Sequence, residues 1–207
     1  MIPTFVLISF FALAEFNSFT YCHDNTRGPY ESQCVRLNAE GKGEINFKRR
    51  QADNVNLPLT LSSTAREKFV MLLAATNYLE KPETFESGRK IADLGAKRIS
   101  VELPTGKREG AFNFSLRKDI TDLSTFFEAV INQATLGFDI GNAMQFDRLS
   151  IPKRLDQVET ELKSNRIADP EGLIPLLERI EKDQQIINYA RTHAGKLKTQ
   201  ILSPKKP

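Results

Sequence analysis

Histidine is the side chain that most often transfers protons near neutral pH, and this sequence contains only two. His193 belongs to the apolar stripe of the last predicted helix, which is the position of a partly buried structural histidine. His23 follows Cys22 in a polar segment, and a Cys–His dyad would need an ordered, activated thiolate. Nothing around these residues indicates such a dyad, so neither histidine predicts a catalytic site.

Sequence motifs that carry catalysis or metal binding are missing. There is no G-x-S-x-G, no H-E-x-x-H and no phosphate-binding loop. The cysteines and histidines lack zinc spacing, and Asp119 with Asp122 lacks the glycine and distal glutamate of a calcium loop. Asp119 or Thr121 is better explained as the cap of a helix. We therefore expect no catalytic residue, no metal site and no cofactor.

Carboxylates are abundant in the C-terminal half and could act in pairs. Two of them held about 5 to 9 Å apart could hydrolyse a glycosidic bond. They alternate with basic residues, however, as on solvated helical surfaces. We keep an envelope hydrolase as the alternative function. The candidates are Asp156, Glu159, Glu161, Glu171, Glu178, Glu181 and Asp183.

The stretch REGAFNFSL, residues 108–116, has the glycine and alternating rings of an RNA-binding strand. The ring positions do not match throughout, and Phe112 and Phe114 pair most naturally with Ile99 and Val101 on a core face. The net charge of +3, from 29 basic and 26 acidic residues, is also far from that of a dedicated nucleic-acid binder. We expect no nucleic-acid partner.

The opposite face of the predicted sheet is polar and fairly basic. Its candidate binding residues are Arg36, Lys48, Arg50 and Arg98. Such a face could hold an acidic protein, a polyanionic glycan or lipid head groups. The alternative is an ordinary solvated sheet face.

An uncharged apolar run from Ile2 to Ala14 opens the chain. It is shorter than the roughly 20 residues of a membrane-spanning helix, and its Ala12-Leu13-Ala14 has the small-x-small form of a signal-peptidase site. We predict a signal peptide over residues 1–14 and a periplasmic or secreted mature chain without a transmembrane span. No Lys or Arg precedes the run, and the alternative is a buried strand or helix start.

Cys22 and Cys34 are the two cysteines of the chain. In an oxidising compartment they could form a disulfide that closes a small loop. Two free thiols are the alternative.

Period-two patterns predict two β-hairpins. The first joins Val35, Leu37 and Ala39 to Ile45 and Phe47 through a Gly41-Lys42-Gly43 turn. The second joins strands that carry Ile99, Val101 and Leu103 on one side and Phe112, Phe114 and Leu116 on the other. The run NLPLTLS predicts a further short strand through Leu57, Leu59 and Leu61, and Pro58 places it at a strand start or an edge.

A helix follows each group of strands. The first has the form of a capping box at Thr64–Glu67 and ends near Asn77. The second starts near Thr121 and can continue to Met144 despite Gly137 and Gly141. Beyond Pro152, leucine and isoleucine stripes predict helices only.

The expected fold class is α+β, with antiparallel hairpins and helices on one face in two ββα-like halves, then a helical C-terminal segment. The expected divisions are an irregular lead-in at 15–33, an α+β domain at 34–149, helices at 150–203 and a tail at 204–207. The 14 phenylalanines and the absence of tryptophan predict a core built around phenylalanine.

The runs ISVELPTGKREGAFNFSL, TDLSTFFEAVINQATLGFDI and LIPLLERIEKDQQIINYARTHAGKL resemble a group of exported bacterial proteins known mainly from acidobacteria. The similarity covers roughly residues 34–200 and consists of core and turn patterns. It implies an exported protein of unassigned function and supplies no catalytic residues. Together with the missing motifs, it leads us to expect a non-enzymatic interaction module of the cell envelope.

Overall fold

The computed structural model describes residues 16–25, 29–89, 92 and 95–203. The predicted signal peptide, residues 1–14, and the tail at 204–207 lie outside the described residues. Within them the chain forms a six-stranded antiparallel sheet and five α-helices, with a helical C-terminal segment. The expected α+β fold class is confirmed.

The sheet has the strand order β4-β3-β2-β1-β5-β6, which puts the first strand in its middle. The strands are β1 Ser18–Asp24, β2 Tyr30–Leu37, β3 Lys42–Arg49, β4 Val55–Thr60, β5 Ala96–Leu103 and β6 Gly106–Phe112. The irregular lead-in expected for residues 15–33 is therefore wrong for residues 18–24 and 30–33, which belong to β1 and β2. Phe19 and Tyr21 of β1 are fully buried and alternate with Thr20 and Cys22, so the segment is a strand with one polar face, and this polar half makes its sequence resemble a loop.

The first predicted hairpin is confirmed. Val35 of β2 faces Ile45 of β3 across the ladder, and Gly41 turns the chain with a φ of 74°. In the described sheet β4 pairs with β3 alone, so Pro58 lies on an edge strand as expected.

The second predicted hairpin forms, but its return strand is shorter than expected. β6 ends at Phe112, which is 5% exposed and lies on the same face as Ile99 and Val101. Phe114 and Leu116 fall outside the strand, and Leu116 is 57% exposed. The alternation of apolar and polar residues continues in the sequence to Leu116, but pairing with β5 ends at Phe112. The ring of Phe112 packs on that of Phe85.

The helices are α1 Ser63–Ala75, α2 Lys118–Phe146, α3 Ile151–Lys163, α4 Ile174–Lys182 and α5 Asn188–Leu202. The capping box predicted at Thr64 is wrong by two residues, because the hydroxyl of Ser62 accepts the hydrogen bond from the Ala65 N–H. α2 runs without interruption past Gly137 and Gly141, as the sequence allowed.

The sequence predicts that Asp119 or Thr121 caps the N-terminus of α2, and this prediction is wrong. Arg117 occupies the cap position without a side-chain cap, and Asp119 lies inside the first turn, where its carboxylate pairs with the Arg117 guanidinium. Burial works to raise the pKa of Asp119, but hydrogen bonds and charge from Arg117 outweigh it and lower the pKa below its ordinary value. The negative charge also favours this end of the helix dipole.

Two hydrophobic cores share helix α2. The first lies between the sheet, α1 and the N-terminal half of α2, and its centre is a cluster of rings around Phe127. The second begins at Leu136 inside α2 and continues through α3, α4 and α5. The second core thus starts within α2, ahead of the division expected at residues 149 and 150.

Candidate functional site

The four basic residues singled out in the sequence do not form one site. Arg36, Lys48 and Arg98 lie on the sheet face away from the helices, which we call the outer face. Arg50 follows the end of β3, and its guanidinium donates to the Asn25 carbonyl at 2.8 Å. The outer face is polar, as expected, but Arg50 is not part of its ladder.

Carboxylates neutralise much of the outer face. Lys48 pairs with Glu31 at 2.7 Å, and Arg98 pairs with Asp24 at 2.9 Å. Arg36 faces Glu44 across the ladder, and it makes no ion pair within 4 Å to any described residue. The face therefore has mixed charge, and its role in binding polyanions stays a prediction.

A disulfide joins Cys22 of β1 to Cys34 of β2, which confirms the predicted bond. The two residues face each other across the ladder on the outer face, with their Cα atoms 4.1 Å apart. The bond crosslinks two regular strands at the centre of the sheet, whereas the sequence predicts a small loop closed within an irregular segment.

The C-terminal carboxylates mostly pair with basic residues, as the charge alternation predicted. Glu181 binds Lys198 at 2.6 Å, and Glu161 binds Arg166 at 2.7 Å. The hydrolase alternative stays a prediction.

His193 of α5 is partly buried against α3, as its place in the apolar stripe predicted. Its Nε2 is 3.2 Å from Glu159 Oε2, and its Nδ1 is 3.6 Å from Asp156 Oδ1. The hydrogen bond and charge of Lys163, with a smaller contribution from His193, hold the pKa of Glu159 below its ordinary value. The three side chains form a compact polar cluster between the two helices.

An apolar groove lies between the edge of the sheet, helix α2 and the segment that leads into α4. Its volume is about 470 Å³. The main apolar side chains that line it are Leu57, Leu59, Val130, Phe138, Leu173 and Leu176. Sequence analysis missed this groove because its walls come from segments far apart in the chain, and each wall resembles ordinary core sequence.

Two of the polar residues at the groove hold the surrounding structure together. Asp169 is 3% exposed, and its carboxylate accepts from the Ser62 N–H at 2.8 Å and the Gly172 N–H at 3.2 Å. Gln133 donates to the Asp169 carbonyl at 2.7 Å and accepts from the Asp169 N–H at 2.9 Å. These bonds tie the start of α1, helix α2 and the segment that leads into α4 around the groove, so both side chains already serve the fold.

Asn142 and Gln145 are the polar side chains at the groove that remain for a ligand. Both are exposed and lie on α2, and neither forms a side-chain hydrogen bond with another described residue. On the same helix, a Cβ atom added at Gly137 or Gly141 would meet no atom within 4 Å. The glycines thus keep this wall of the groove open, with two uncharged amides beside it.

Among the described helices, none combines the length and the apolar character needed to cross a membrane. The fold and the groove define an α+β protein with an antiparallel sheet, a helical C-terminal segment and a concave apolar site between them. No protein-family model matches the chain, and a search of curated proteins found no match.

Proposed function

We propose that the protein is a non-enzymatic binding module of the cell envelope that holds an apolar ligand in its groove. The observation that carries the proposal is the groove itself. Its volume of about 470 Å³ lies in the range of small-molecule sites, which are mostly apolar with a few placed polar groups. The mixed charge of the outer face gives a polyanion or an acidic protein partner less support.

The chemistry of the lining favours an uncharged amphiphile. The only carboxylate among the lining residues, Asp169, has both oxygens engaged by backbone N–H groups. An apolar chain would contact the leucines and Phe138, and an uncharged hydroxyl, ester or amide head would bond to Asn142 and Gln145. A charged head would find no free partner of opposite charge among the described lining residues.

The first prediction concerns a substitution that fills the groove. Gly141→Leu should weaken binding of N-phenyl-1-naphthylamine, an uncharged fluorescent amphiphile, at least about tenfold, which corresponds to about 1.4 kcal/mol of lost binding free energy. The same change removes a glycine from a helix interior and should raise the free energy of unfolding by up to about 0.8 kcal/mol. Fluorescence titration and urea unfolding would measure the two effects.

Thr125→Leu is the matched control, since Thr125 is an exposed residue of α2 outside the groove. It should leave dye binding unchanged. Weaker binding in a Gly141→Leu protein that is at least as stable as wild type can come only from a blocked groove. Equal binding in Gly141→Leu and wild type would contradict the proposal.

We further propose that the chain is exported and that residues 1–14 are removed. The uncharged apolar run, its small-x-small site and the resemblance to exported proteins support this, and disulfides persist mainly in oxidising compartments. The intact mass of the protein from the envelope fraction should equal that of Glu15–Pro207 less two hydrogens. A full-length, reduced chain recovered from the cytosol would contradict export.

A further inference from the structure

Helices α3 and α5 bring together one imidazole and two carboxylates. Asp156 and Glu159 lie three residues apart on α3 and so occupy the same face of that helix. His193 reaches them from α5, and one ligand atom from each of the three residues lies within 4.8 Å of the others. A single ion could therefore contact all three after small side-chain adjustments.

The hydrogen bonding of His193 leaves one ring nitrogen unexplained. Nε2 is 3.2 Å from Glu159 Oε2, and in a neutral ring this bond requires the proton to be on Nε2. Nδ1 is then an acceptor, and it is buried without a hydrogen-bond partner in the described part of the chain. It faces Asp156 Oδ1, another acceptor, at 3.6 Å. Two acceptors facing each other are unfavourable, and either a proton on Nδ1 or a metal ion between the two atoms would remove the conflict.

We propose that Asp156, Glu159 and His193 bind a zinc ion that bridges α3 and α5. Imidazole nitrogen and carboxylate oxygen are common zinc ligands at about 2.0 to 2.2 Å, so ligand atoms around a tetrahedral ion lie about 3.4 Å apart. The separation of 3.6 Å between Nδ1 and Asp156 Oδ1 is close to that value. Three protein ligands leave a fourth position open, on the side where the Asp156 side chain is 61% exposed.

The surroundings hold Glu159 beside the His193 ring, and its Oε2 has to move from Nε2 to contact an ion at Nδ1. Lys163 binds the Oε1 oxygen at 2.6 Å, which leaves Oε2 directed at His193. Such a partner behind a ligand fixes the orientation of the ligand. The site shares no residue with the apolar groove, so the zinc proposal and the proposed function can fail independently.

Calorimetric titration of the chelator-treated full chain with Zn²⁺ should give one ion per chain. Titration with Co²⁺ should produce the visible absorption of a cobalt ion with few ligands. His193→Asn and Asp156→Asn should each weaken Zn²⁺ binding at least about 100-fold, because even the loss of a residue behind a ligand costs 10- to 100-fold. Zn²⁺ should raise the thermal midpoint of the wild type and leave that of both variants unchanged.

His23→Asn and Glu178→Gln are the matched controls, since they remove a histidine and a carboxylate outside the cluster. Both should bind Zn²⁺ as tightly as the wild type. Asp156 is largely exposed, so Asp156→Asn tests the site even if His193→Asn fails to fold. No stoichiometric Zn²⁺ binding by the wild type, or undiminished binding by Asp156→Asn, would overturn the proposal.

Discussion

Replacing Phe127 with alanine should lower the free energy of unfolding by about 3 to 5 kcal/mol, the usual cost of removing a buried ring. Its side chain is completely buried in the first core. Its ring contacts four others, with centroid distances of 4.8 to 5.6 Å; these are Phe19, Tyr21, Phe69 and Phe126. The rings come from β1, α1 and α2, so the cavity would open where the sheet meets both helices and could not collapse easily.

Urea unfolding followed by circular dichroism would measure this loss. Phe146→Ala is the matched control, because Phe146 lies on the same helix and is 83% exposed. It should change the free energy of unfolding by less than about 0.5 kcal/mol. Similar losses in the two variants would contradict the position of Phe127 at the centre of the core.

Removing the Cys22–Cys34 disulfide should cost about 3 kcal/mol, the value that loop-closure entropy gives for a crosslink across 12 residues. The bond acts mainly on the unfolded chain, because the ladder between β1 and β2 holds the same residues together in the folded state. The fold should therefore survive reduction with a lower unfolding midpoint.

The experiment compares wild type with a Cys22→Ala, Cys34→Ala double variant, each with and without a thiol reductant. Reductant should lower the urea midpoint of the wild type to near that of the variant. It should leave the variant unchanged, which controls for effects of the reductant itself. A wild-type midpoint that does not respond to reduction would contradict a stabilising disulfide.

Features that depend on neighbouring residues were predictable from the sequence. The β2–β3 hairpin followed from alternating apolar residues on both sides of Gly41, and the edge position of β4 followed from Pro58. The long helix α2 followed from its apolar spacing. In each case the local pattern and the final structure agree, which is expected of a foldable sequence.

Features that depend on distant pairing were not predictable. β1 is recognisable as a strand only beside β2 and β5, since its own sequence is half polar and β5 lies more than 70 residues away. The groove and the cluster at His193 were not predictable for the same reason, because each is built from segments far apart in the chain. The groove residues come together because α2 and β4 form two of its walls, and the cluster residues come together because α5 packs on α3.

Helix α2 has 29 residues and is about 43 Å long. One end of it supplies Phe127 to the first core, and the other supplies Leu136 and Ile140 to the second. Unfolding of either half of α2 would remove one side of the core that this half lines. It would also destabilise the other half of the same helix, which lines the other core. The two cores should therefore unfold together in a single cooperative transition, and we expect the chain to behave as one thermodynamic unit.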